Sequence, residues 1–188
     1  GNRISGEAAQ ELAQAVIGSA SLEVFGEVPM KQLRADAQTK LDLSCEALGP
    51  TEAIVLAKLV SASGALTSLN LLRNLLDEAS ASMLAEIAQT RGISVCGLKP
   101  DQRAFVADGR LKPPDAILLA SDLSQANVSG ALTDIDLREN KGCNELGTAR
   151  TSIPPELGTA GRCAILNALR DNKDNKIASW DLSSPFAA

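Results

Sequence analysis

The chain has no histidine and no tyrosine, and only one tryptophan and three phenylalanines among its 188 residues. Without an imidazole no Ser-His-Asp or Cys-His pair can be assembled, and the usual His-bearing zinc arrangements fall away with it. Four cysteines, Cys45, Cys96, Cys143 and Cys163, are separated by 51, 47 and 20 residues with no C-x-x-C, so neither a metal knuckle nor a disulfide framework is indicated. They read as free thiols, with Cys45 exposed and Cys96 and Cys163 packed as small hydrophobes, which fits a reducing, cytoplasmic setting. No G-x-x-x-x-G-K-[ST] or G-x-G-x-x-G phosphate loop occurs. Long apolar runs are missing as well: the longest, at residues 53–60, is interrupted by Lys58 and is far short of the roughly 20 residues a membrane helix requires. The charge balance of 18 basic against 23 acidic residues, without a basic cluster or an aromatic platform, lacks the electrostatic footprint of nucleic-acid binding. We expect no enzyme, no cofactor and no metal centre.

What the chain does have is a sentence written twice. Ala65 to Asn74 reads ALTSLNLLRN and Ala131 to Asn140 reads ALTDIDLREN. Both fit L-x-x-L-x-L-x-x-N, with Leu66, Leu69, Leu71 and Asn74 in one copy and Leu132, Ile135, Leu137 and Asn140 in the other. A second pattern follows. Counting from Asn74, aliphatic or Ala residues fall at Leu76, Ala81, Leu84, Ala85 and Ala88, and the same offsets hold from Asn2 (Ile4, Ala9, Leu12, Ala13, Val16), from Glu46 (Leu48, Ala53, Leu56, Ala57, Val60) and from Gly109 (Leu111, Ala116, Leu119, Ala120, Leu123). Side chains three and four apart share one face of a helix, so each stripe predicts a helix, whose small Ala residues permit close packing.

These two patterns together resemble the leucine-rich repeat family, in the helix-bearing, ribonuclease-inhibitor-like form with a unit of about 28 residues. The resemblance implies an α/β solenoid, with a curved parallel sheet on the concave side and helices on the convex side. It also implies that the Asn of each unit saturates backbone groups of the turn after the strand, since buried backbone groups must find partners. Glu46 and Gly109 depart from that Asn. Gly109 can turn through a left-handed conformation, whereas the Glu46 turn is expected to be solvated.

Spacing is uneven. Glu46 to Asn74 is 28 residues, but Asn74 to Gly109 is 35 and Asn2 to Glu46 is 44. The excess falls in LEVFGEVP (from Leu22) and ISVCGLKP (from Ile93), which share an aliphatic-x-Val-x-Gly core and a Pro. Each predicts an extended segment and a Pro-terminated loop added at every second junction. After Asn140 the helix stripe returns only at Ile165, Leu166 and Leu169, so residues 141–155 read as an inserted loop, either a mobile surface loop or a partner contact. The final segment, residues 177–182, reads as a strand with Trp180 and Leu182 inward. We treat residues 1–188 as one repeat domain, and because Gly1 opens in mid-repeat we expect the array to continue before it.

On such a sheet the polar strand positions face outward, and the resemblance places partner binding there. The candidates are Asp42, Asn70, Leu72, Arg73, Asp108, Asp134, Asp136, Arg138, Glu139 and Asp181, with Asp42, Asn70, Asp136 and Asp181 in one column about 4.8 Å apart per strand. Four such groups could attract a cation or simply form a solvated face. Leu72 is the apolar member and could anchor a partner. The expected function is a protein-protein interaction module. The alternatives are a GTPase regulator resembling Ran GTPase-activating proteins and the sensor domain of a larger receptor.

Overall fold

The computed structural model describes residues 4, 6–106, 111–136, 158–172 and 179–180. The helices form where the Ala-Leu-Ala stripe recurs, α1 (Gly6–Gly18), α3 (Pro50–Ala62), α4 (Glu78–Arg91) and α5 (Pro113–Leu123), and again at the Ile165, Leu166 and Leu169 stripe, α7 (Gly158–Asp171), with short α2 (Met30–Arg34) and α6 (Ala126–Ser129) in the connections. Pro50 and Pro113 sit in the first turn, where the missing N–H costs nothing. Asp77 caps α4 by accepting from the Ser80 N–H at 2.8 Å, and Gly92, left-handed at φ 65°, closes its other end.

Helices pack in chain order, α1 on α3, α3 on α4, α4 on α5 and α5 on α7. Ala9 and Ala85 are buried along these contacts, and Ala13, Ala53, Ala57, Ala81, Ala88 and Ala116 are buried with Leu48, Leu56, Leu76, Leu84, Leu111, Leu119 and Leu123 in one cluster that runs from Ala13 to Leu169. In α7, Ile165 and Leu169 join the core while Leu166 is exposed. No helix among the described residues is long and apolar enough to cross a membrane.

The C-terminal ends of α1, α3, α4 and α5 are each held by a side chain from further along. Arg34 donates to Val16 O and Ile17 O at 3.2 Å, and Arg91 to Val60 O at 3.2 Å and Ser61 O at 3.1 Å. Asn127 Nδ2 reaches Gly92 O at 2.8 Å, and Asn172 Nδ2 reaches Leu123 O at 2.7 Å. The last carbonyls of a helix lack intrahelical donors and carry its negative pole, so a guanidinium or an amide there both satisfies and stabilises them.

The sheet corrects the expected architecture. The described residues are about 50% helical and do not form the continuous curved sheet of a leucine-rich repeat solenoid. Among the described residues there are two separate short parallel sheets. One joins β1 (Lys40–Asp42) and β2 (Ser68–Asn70), with Lys40 against Ser68, Leu41 against Leu69 and Asp42 against Asn70; the other orders β3 (Ala104–Val106), β4 (Asp134–Asp136) and β5 (Ser179–Trp180).

The break has a local cause, the extra segment after Ile93. Leu69 N–H donates to Ser94 O at 2.8 Å, Leu71 N–H to Val95 O at 3.0 Å, and Gly97 N–H to Leu69 O at 3.0 Å. These bonds take the edge of β2 that another strand would have used. Gly97 then turns away at φ 72°, with its Cα so near Asn70 that an added Cβ would lie 3.1 Å from the Asn70 Cβ. β3 therefore starts a new sheet. Its inward residue is Phe105, paired with Ile135, while Val106 is 55% exposed. Phe105 lies four residues before Gly109, whereas Ile135 lies five before Asn140, so the strand is displaced by one position relative to the repeat.

Candidate binding surface

Alternation along three-residue strands decides which side chains face out. Leu69 is fully buried in β2 and Leu41 is half-buried in β1, so Asp42 and Asn70 share the opposite face, Asp42 exposed and Asn70 half-buried. Both also work locally. Asp42 Oδ1 accepts from the Ser44 N–H at 3.0 Å and the Ser44 hydroxyl at 2.7 Å, and Asn70 Oδ1 accepts from the Leu72 N–H at 3.3 Å. An acceptor at this position folds the chain out of the strand, which is why Asp and Asn recur there. Two members of the proposed cation ladder are thus turn-forming residues, and no group of three or more His, Cys, Asp or Glu is gathered for a metal among the described residues.

The turns that follow are left-handed at equivalent places, Cys45 at φ 64° and Arg73 at φ 62°. Asn74, buried beneath them, accepts at Oδ1 from Glu46 N–H (3.1 Å) and Leu48 N–H (3.0 Å) and donates to Leu43 O (2.8 Å) and Leu71 O (2.9 Å). The Glu46 turn is therefore not left to solvent as expected. The asparagine of the following unit serves it. Arg73 N–H in turn donates to Asp115 Oδ1 at 2.7 Å, and Asp115 Oδ2 takes the Lys112 N–H at 2.7 Å. Burial raises the Asp115 pKa against the opposing effect of these bonds.

Leu72 is a second correction: it is 8% exposed and belongs to the core, so it offers no apolar anchor. The Leu72 carbonyl, accepting from Cys45 N–H at 3.1 Å, continues the β1–β2 ladder past the strand end and carries the side chain inward. Arg73 is exposed, as is Asp134, whose β4 backbone pairs with β3 and β5. The backbone of Asp136 pairs with Val106. Asp108, Arg138, Glu139 and Asp181, and the loop at 141–155, lie outside the described residues. Of the thiols, Cys45 and Cys163 are exposed and Cys96 is buried, so Cys163 is not the packed residue it was expected to be.

Sequence reasoning missed the most buried charge. Asp122, on the inner face of α5, is fully buried. Its carboxylate accepts from the Ser94 hydroxyl at 2.6 Å, Val95 N–H at 2.8 Å and Cys96 N–H at 3.0 Å. Desolvation outweighs these bonds and raises its pKa to about 6. Burial, followed by the charge of Asp122, pushes the Cys96 thiol well above its ordinary value, which makes it a poor nucleophile. The available signal was an Asp in a helix stripe otherwise made of Leu and Ala. No family model, no curated protein and no solved structure matches this chain.

Proposed function

We propose that the chain is a protein-interaction module whose contact surface is the outward strand face around Asp42, Asn70 and Arg73. The observation that supports this is the way the face is held. Asp42 and Asn70 are set side by side by the β1–β2 register, and their turns are tied down by Asn74 and Asp115 from beneath. Polar groups fixed in this way before binding lose little freedom on association, so more of the contact free energy appears as affinity. Specificity then comes from charge pattern, with mixed carboxylate, amide and guanidinium groups disfavouring mismatched partners.

Charge reversal separates this face from the helical one. Arg73→Glu is expected to deplete captured partners in affinity purification from the source cell, whereas Lys58→Glu, on the exposed side of α3, leaves the partner set intact. Both variants should melt within about 0.5 kcal/mol of the parent, as surface changes do. Partners lost with Lys58→Glu and kept with Arg73→Glu would move binding to the helices and sink this reading.

A further inference from the structure

A cavity of about 250 Å³ opens beside the start of β1 and β2, on residues separate from the Asp42–Arg73 surface. Its lining brings together Lys40, Ser68, Leu98, Lys99, Asn127 and Val128, and none of its lining residues is acidic. In a chain of net charge −5 that is a local reversal of sign. Neither lysine has an ion-pair partner among the described residues, and the Ser68 hydroxyl makes no hydrogen bond there. Asn127 gives one amide hydrogen to Gly92 O and has a second to offer.

Two nearby sources of negative potential are already answered. The last carbonyls of α4 accept from Gly92 N–H, Ile93 N–H and Asn127. The Asp122 carboxylate behind Ser94 is occupied by three donors. Leu98 and Val128 add an apolar wall.

We propose that this cavity binds a small phosphate monoester. A phosphate group carries a charge of about −1.5 to −2 at neutral pH, which matches two ammonium groups better than a single carboxylate would. Its three oxygens can take Lys40, Lys99 and the Ser68 and Asn127 donors, while a short carbon skeleton lies on Leu98 and Val128. A cavity of about 250 Å³ is below the 300–1,000 Å³ or so typical of drug-sized ligand sites, so a nucleotide is too large.

The test is a titration of the ¹⁵N-labelled chain with glycerol 3-phosphate, inorganic phosphate and acetate at constant ionic strength, followed by amide shifts. Saturable shifts are expected at Ser68, Gly97 and Asn127, tightest for glycerol 3-phosphate and weakest for acetate. Lys40→Met and Lys99→Met should each weaken binding about tenfold, the loss of one charge-assisted hydrogen bond. Lys99→Arg should retain it, and Lys58→Met should change nothing. The dispersion of each variant's own spectrum reports whether it is folded. Absent or scattered shifts, acetate bound as tightly as the phosphates, glycerol 3-phosphate no tighter than inorganic phosphate, or a folded Lys40→Met/Lys99→Met variant that binds like the parent would each overturn the proposal.

Discussion

Two turns in this chain face the same problem and solve it with different chemistry. At the β1–β2 junction the orphan groups are of both kinds, the N–H of Glu46 and Leu48 and the carbonyls of Leu43 and Leu71, and the buried partner is the amide of Asn74. At residues 94–96 the carbonyls of Ser94 and Val95 are already taken by β2. Only donors remain, and the buried partner is the carboxylate of Asp122. An amide both donates and accepts; an ionised carboxylate only accepts. The type of orphan selects the side chain, and the choice has a consequence, because a carboxylate titrates and an amide does not.

Exchanging the chemistry should therefore break the first turn most severely. Asn74→Asp sets an acceptor against two buried carbonyls. At about 1–3 kcal/mol for each unsatisfied buried group, the expected loss is about 2–6 kcal/mol by denaturant unfolding. A near-neutral result would show that the Asn74 donors are dispensable.

Leu71 belongs to both turns, giving its N–H to Val95 and its carbonyl to Asn74, and its side chain is fully buried. Leu71→Ala should cost about 2–5 kcal/mol through the cavity it leaves. Its neighbour Asn70 loses only one hydrogen bond on conversion to Ala, about 0.5–1.5 kcal/mol. Thermal melts in which Asn70→Ala proves the more damaging of the two would contradict the inward and outward assignment along β2.

The second turn is sharpened by pH. The folded Asp122 pKa of about 6 lies above the ordinary 3.8, so the folded state binds the proton more tightly than the unfolded chain. The stability from this group is complete below about pH 4 and is lost as pH rises through about 6. Its ceiling is roughly 3 kcal/mol at 1.36 kcal/mol per unit. Asp36 and Asp77 are shifted downward by their hydrogen bonds, so their stabilisation is lost only as the pH falls below the ordinary carboxylate range. Asp115 is raised like Asp122, and subtracting Asp122→Asn from the parent removes its contribution. The difference between the two stability curves should change between pH 4.5 and 7.5. Parallel curves would mean that Asp122 is ionised throughout that range.

Helix faces were legible because a helix side depends on spacing alone. Ala81, Leu84, Ala85 and Ala88 lie on one buried face for the same reason that they recur at three and four residues. The role of Asn74 could be inferred from the resemblance, but its service to the preceding Glu46 turn could not, since that bond joins residues 28 apart. Leu72 was misplaced because strand alternation was carried past the end of β2, where the Asn70 turn redirects the chain. Asp122 was invisible because an isolated Asp on a helix is ordinarily a surface residue.

The amino-acid sequence by itself thus determined the main helices and, Leu166 excepted, the inward stripe of each, since these follow from periodicity within a dozen residues. It also marked residues 93–100 as an addition. Only the tertiary structure decided what the addition does. A strand edge accepts whichever backbone reaches it in register, and here residues 94–97 reach β2, end the first sheet and leave three N–H and O–H donors turned toward α5. That competition is settled by packing in space, which is why the sheet divides where the repeat alone would have continued it and why a carboxylate is buried at the division.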